Sequence, residues 1–149
     1  MATYTEQMQG LWRLYEEDGQ PIPATSHEVA AWAIKKRLWF ARPADIVSQC
    51  AEDLSQALRE EYLTDAKGRR VRAKHSARQT RDGKQLSFWA DIRTAPRSHM
   101  ELAFRQRRNQ IVGDCKQLKS DVDSYNDANV KEPPIPMLFD FTDDLAEAA

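Results

Sequence analysis

Tyr4, Met8, Leu11 and Tyr15 recur at alternating spacings of four and three with Trp12 beside them, so an amphipathic helix is expected over Thr5 to Glu17. Asp18-Gly19-Gln20-Pro21-Ile22-Pro23 interrupts that pattern. Thr25, three residues before Glu28 and ahead of an apolar run, reads as a capping box, and a second helix should follow to about Trp39. Arg42-Pro43 ends it, because proline disfavours the helical conformation in its predecessor yet suits the first position of a new helix. Ile46, Val47, Cys50, Leu54 and Leu58 then share one face. Residues 43 to 63 fit either one long helix or two short ones with a turn near Ala51 to Asp53.

The period then changes from helical to alternating. Arg69 to His75 and Lys84 to Ile92 alternate, and Asp82-Gly83 between them is a turn signal, so the pair predicts a β-hairpin. Alternation places Val71, Ala73, Leu86, Phe88, Ala90 and Ile92 on the covered face. Arg70, Arg72, Lys74, Gln85, Ser87, Trp89 and Asp91 fall on the other, with Arg78, Arg81 and Lys84 added by the connection.

After Ala95-Pro96, with Ser98 as a possible cap, a long helix is expected from about His99 to Tyr125. Phe104, Arg108, Ile111, Cys115, Leu118, Val122 and Tyr125 repeat in a four-three seam. Such a helix should pack on the N-terminal helix or on a second copy of the chain, and the polar Arg108 shortens the seam. The segment from 127 onward is acidic and contains prolines, and Ile135 to Phe141 either folds back over the core or reaches a partner. Ile111, Leu118, Val122, Leu138, Phe139 and Phe141 are the candidate partner-binding residues.

Composition narrows the class. With 149 residues, 41% hydrophobic and 30% charged, the chain is expected to form a single domain, and its longest apolar run, Val29 to Ile34, is far below a bilayer span. No basic-then-apolar leader is visible at Met1 to Glu6, so a cytoplasmic location is expected. Cys50 and Cys115 lie far apart without a second pair, which argues against a disulfide framework or a cysteine zinc module and predicts two buried thiols.

The net charge of -1 conceals an asymmetry. Residues 1–65 hold 6 Lys/Arg against 11 Asp/Glu, net -5; residues 66–110 hold 13 against 3, net +10; residues 111–149 hold 3 against 9, net -6. A basic block of that density supplies the phosphate-neutralising charge on which nucleic-acid affinity is built. The alternatives are a solvated face answered by the chain's own acidic ends, and a Trp89 that is simply core behind a basic edge strand. The candidate nucleic-acid-binding residues are Arg70, Arg72, Lys74, Arg78, Arg81, Lys84, Trp89, Arg105, Arg107 and Arg108.

Helix, two helical segments and a basic hairpin over residues 26–92 resemble, in topology, a winged helix-turn-helix domain. The resemblance implies a winged-helix-like three-helix unit with a basic β-hairpin; with the short N-terminal helix (5–17) and long C-terminal helix (98–126) read from periodicity, an α+β, mostly helical fold is expected. The resemblance makes Pro43 to Gln49 the first helix of the turn motif, Leu54 to Tyr62 the recognition helix, and Arg69 to Ile92 the wing. Glu60 and Glu61 on that recognition helix, and the lack of a turn glycine, depart from the family pattern, leaving Ser55, Gln56 and Arg59 to reach base edges. Binding would then be led by the wing and the following arginines, mostly through phosphates, with DNA favoured over RNA as the partner.

No catalytic constellation is visible: His27, His75 and His99 lack metal-ligand spacing, and no glycine-rich phosphate loop or nucleophile elbow occurs. No enzyme activity, cofactor, metal, small-molecule substrate or membrane partner is therefore expected. The alternative function is a protein-protein adaptor or assembly subunit using the long-helix seam and the C-terminal apolar-acidic segment; a homodimer through the C-terminal helix goes with the leading nucleic-acid reading.

Overall fold

The computed structural model describes residues 1–147. The fold is α+β, with five helices and two antiparallel hairpins among these residues. The chain expected to form one domain divides into two compact units, Met1–Leu54 and the stretch from Ser55 onward.

In the first unit, α1 (Tyr4–Glu17) begins with a reciprocal capping box. The Glu6 amide donates to the Thr3 hydroxyl at 3.1 Å, and the Thr3 amide donates to the Glu6 carboxylate at 3.2 Å. The helix stops at Asp18, where Gly19 takes φ +72°, a left-handed conformation that glycine adopts without steric cost. α2 (Ser26–Lys35) is capped by Thr25, whose hydroxyl accepts from the Glu28 amide at 3.0 Å. It ends before Trp39, the expected limit, because Arg37 turns to φ +60° and Leu38 donates back to the Ala33 carbonyl. Tyr15 and Ala33 are buried between these helices, with the Tyr15 ring edge-on to Trp32 at 5.4 Å and its hydroxyl donating to the Pro21 carbonyl.

α3 (Asp45–Arg59) answers the question left open over residues 43–63: it is one helix. The helix-turn-helix implied for Pro43 to Tyr62 is not formed, because the apolar face from Ile46 to Leu58 runs on without a break and Tyr62 already belongs to a strand.

In the second unit the expected hairpin is two hairpins. β1 (Tyr62–Thr64) pairs with β2 (Arg70–Arg72), and β3 (Lys74–Arg81) pairs with β4 (Lys84–Asp91). Asp65 closes the first by accepting the Lys67 and Arg69 amides on one carboxylate oxygen, both at 2.9 Å. The second turns through Asp82 (φ +53°) and Gly83 (φ +75°), the double positive φ of a two-residue type I′ loop. Ala73 joins the two: its amide donates to the Glu61 carbonyl and its carbonyl accepts from Ile92. Arg78 and Arg81, expected in the connection, are therefore strand residues.

α4 (Arg97–Ala128) starts at Pro96 with no side-chain cap, so Ser98 does not serve that role. Its 32 residues correspond to about 48 Å. The first turns pack on β3, where Ala73, Ala77 and Ala103 are buried; small side chains let helix and strand approach closely. His75, 7% exposed, meets the Phe104 ring edge-on at 5.3 Å. Gln106 fastens the open edge of β3, its carbonyl oxygen accepting from the Arg78 amide at 2.7 Å and its amide nitrogen donating to the Arg78 carbonyl at 2.9 Å.

The chain beyond Asn129 turns back along α4: Asn126 accepts from the Ile135 amide at 2.9 Å and donates to its carbonyl at 3.1 Å. Met137 and Phe139 follow beside Val122, and α5 (Thr142–Glu147) ends the described chain. Val122 and Phe139 thus face each other across a small cavity, whereas Leu138 and Phe141 remain exposed. Neither cysteine is buried as expected: Cys50 lies on the open side of α3 and Cys115 is half-buried on α4.

Candidate nucleic-acid interface

The register of β3 and β4 sets Lys74 opposite Asp91, Ser76 opposite Trp89 and Arg78 opposite Ser87, so these six share one face. That face, the β3-facing side of α4 and the end of α3 enclose a cavity of about 300 Å³. Arg59 from α3, Arg72 from β2, Arg78 from β3 and Arg107 from α4 line it, together with Trp89 and Gln106, and no carboxylate does. A second cavity of about 430 Å³ adjoins it, sharing Arg72, His75 and Arg107 and adding Tyr62 and Arg70.

Carboxylates occupy a defined subset of the basic block. Asp65 holds Arg69 at 2.7 Å, Asp91 holds Arg93 at 2.7 Å, and Glu101 holds Arg97 at 2.8 Å. Lys74 bridges Glu61 and Asp91, and these partners raise its pKa. Lys74 also lines the cavity, where both of its acidic partners already engage it. The Asp91 carboxyl is held far below the usual carboxylate range, first by hydrogen bonds from the Arg93 side chain and amide and then by Lys74.

Among the described residues no carboxylate pairs with Arg70, Arg72, Arg78, Arg81, Lys84, Arg105, Arg107 or Arg108. Arg72, Arg78 and Arg107 converge on the first cavity, and Arg70 lies beside it with its guanidinium 3.9 Å from the Tyr62 ring centroid. Arg81 and Lys84 face each other at the hairpin tip on the opposite face, where Arg81 covers Phe88 at 4.4 Å. Arg105 and Arg108 are exposed on α4 away from both cavities. The expected cations thus form a convergent group and two outlying pairs, Arg81 with Lys84 and Arg105 with Arg108, instead of one continuous face.

Bringing guanidinium groups together without carboxylates is unfavourable in the free chain. The Arg107 pKa is lowered by burial and then by Arg72. His75 is likewise lowered by burial, with Arg107, Arg72 and His99 adding to the effect. Its Nε2–H donates to the Arg72 carbonyl at 2.8 Å, the role a carbonyl partner imposes on that nitrogen. His99 Nε2 donates to the His75 carbonyl at 2.9 Å, so two imidazoles fasten the strands to the helix start.

Tyr62, Gln106 and Gln110 are lining residues that periodicity missed. Tyr62 reads as the end of a helix, and the two glutamines are polar positions on a helix with nothing in the pattern to mark them. Arg59 was legible only as a base-reaching residue of a recognition helix; here it ends α3 at the rim of the cavity.

No protein-family model matches the chain, and no curated protein or solved structure matches it. Among the described residues no helix is long and apolar enough to cross a membrane.

Proposed function

We propose that this chain binds nucleic acid, chiefly through phosphate contacts, on the surface where β2, β3 and α4 meet. The observation that carries this reading is the convergence of Arg59, Arg72, Arg78 and Arg107, from four separate elements, on one concavity lined by no carboxylate. Guanidinium groups match phosphate oxygens bidentately and stay charged at any physiological pH. A polyanion relieves their mutual repulsion, whereas water leaves it in place. Arg70 continues the track toward Tyr62, and Arg81 with Lys84 offers a peripheral contact at the tip.

Replacing Arg72, Arg78 and Arg107 together by Glu should abolish the shift of a mixed-sequence 20-mer in a low-salt mobility assay, with the circular dichroism unchanged. Binding that survives the triple reversal rejects the assignment.

A second reading, self-association through α4, is favoured by the exposure of Phe104, Ile111, Leu118 and Tyr125, spaced seven residues apart along one stripe. Charge is segregated along the helix: residues 97–110 hold 4 Arg and 1 Glu, residues 111–128 hold 2 Lys and 4 Asp. An antiparallel pair of chains sets each basic half against an acidic half. Sedimentation should then give a dimer that Ile111→Glu with Leu118→Glu converts to monomer; a monomeric wild type at all concentrations removes this reading.

A further inference from the structure

Two concavities meet at one pair of arginines. Trp89 lines the first and Tyr62 the second, and Arg72 and Arg107 line both. Trp89 is half-buried on β4, directly opposite Ser76, with α4 forming the far wall of its cavity. A recessed indole of this kind is out of reach of a base held inside a duplex stack. A base splayed out of a single strand can enter and lie against it. On the other side the Arg70 guanidinium lies over the Tyr62 ring at 3.9 Å, which gives a second flat surface of the sort on which bases stack. No carboxylate is among the residues lining either concavity, and Lys74, which lines the first, is engaged by Glu61 and Asp91. Burial and Arg72 already weigh against the charge on Arg107, a cost that an intervening phosphate removes.

We infer that this surface takes single-stranded nucleic acid, one phosphodiester lying between Arg72 and Arg107 and its two flanking bases entering the concavities at Trp89 and at the Arg70–Tyr62 pair. The inference rests on the reading that the groove binds nucleic acid and adds the form of the ligand. The cavity volumes suit it: about 300 and 430 Å³ are of the size that holds a small ligand, one nucleotide each.

The test is fluorescence anisotropy at low salt with labelled dT12, dU12, U12 and a mixed-sequence duplex of 12 base pairs, on the full chain and on Trp89→Leu and Trp89→Phe. Single strands should bind at least about tenfold more tightly than the duplex. Trp89→Leu should weaken them about 5- to 150-fold, the range of base-aromatic stacking, while Trp89→Phe keeps most of the affinity. Saturating dT12 should quench wild-type tryptophan emission more than that of Trp89→Phe, which isolates Trp89 from Trp12, Trp32 and Trp39. The affinity for dU12 relative to U12, which differ only in the 2′-hydroxyl, assigns the sugar. Should the duplex bind as well as the strands, or should Trp89→Phe show the same quenching as the wild type, the inference is overturned while nucleic-acid binding stands. Should none of the probes bind, both fall. If Trp89→Leu does not fold, the strand-to-duplex ratio and the Trp89→Phe quenching decide alone.

Discussion

Gln106 offers a sharp perturbation, because one side chain makes two hydrogen bonds from α4 to the Arg78 backbone of β3, apart from the single bond from His99 to the His75 carbonyl. Gln106→Met keeps the length and has nearly the same helix propensity, so the helix itself is left alone and only the two bonds to Arg78 are lost. Each such bond contributes about 0.5–1.5 kcal/mol, for a loss of about 1–3 kcal/mol. Arg78 is exposed, and water can replace part of what is removed, which places the expected value toward the lower end. With a urea slope of about 1–3 kcal/mol/M, a loss of about 1 kcal/mol should lower the midpoint by roughly 0.3–1 M. Hydrogen exchange reads the same event locally, since the Arg78 amide loses its acceptor and should exchange faster. Gln110→Met, on the same helix and lining the same cavity but making no such bond, is the control and should leave both readouts unchanged. A Gln106→Met protein with wild-type midpoint and unchanged Arg78 protection would refute the idea that this clamp fixes the cavity wall.

Two further outcomes follow from the packing. Burial, Arg107 and Arg72 hold the His75 pKa below its ordinary value, so below about pH 6.5 the unfolded chain binds the proton more readily than the folded one. The contribution of neutral His75 is complete above that pH and declines as the pH falls; His75→Phe should flatten the urea midpoint between pH 7.5 and 5.5, and an unaltered slope contradicts the assignment. Asn126→Ala removes both bonds to Ile135, so limited proteolysis should cut sooner between Glu132 and Phe139 while the unfolding free energy falls by less than about 1 kcal/mol; equal cleavage rates contradict the clasp.

Local chemistry made much of this architecture readable. Thr25 capping, the Arg42-Pro43 break and the Asp82-Gly83 turn each act through a few neighbouring residues, and the elements they bound are present. The four-three spacing of α4 likewise carried its length, and Arg97–Ala128 extends the expected span at both ends. The small hairpin was hidden because strands of three residues are too short to show alternation, and Leu58 and Tyr62 continue the four-residue spacing from Leu54 in sequence. That one misreading moved Arg70 and Arg72 from the long hairpin to a neighbouring one and brought Tyr62 unforeseen to the site.

The candidate site was legible as charge and illegible as geometry. Composition located the basic block, but which cations stay free depends on where Asp65, Asp91, Glu61 and Glu101 fall in space. Lys74 and Arg72 are equivalent in the sequence; pairing with two carboxylates separates the first from the second. Trp89 is neither core nor fully exposed, a state that periodicity has no means of expressing.

The central claim is that Arg59, Arg72, Arg78 and Arg107 neutralise phosphates, and the salt dependence of binding tests it most directly. For dT12, the logarithm of the association constant plotted against the logarithm of salt concentration should fall with a slope of about -2 to -3, the value for three to four phosphate contacts on a single strand. Arg107→Gln should make that slope shallower by about 0.7. A slope near zero, or one that Arg107→Gln leaves unchanged, contradicts the account.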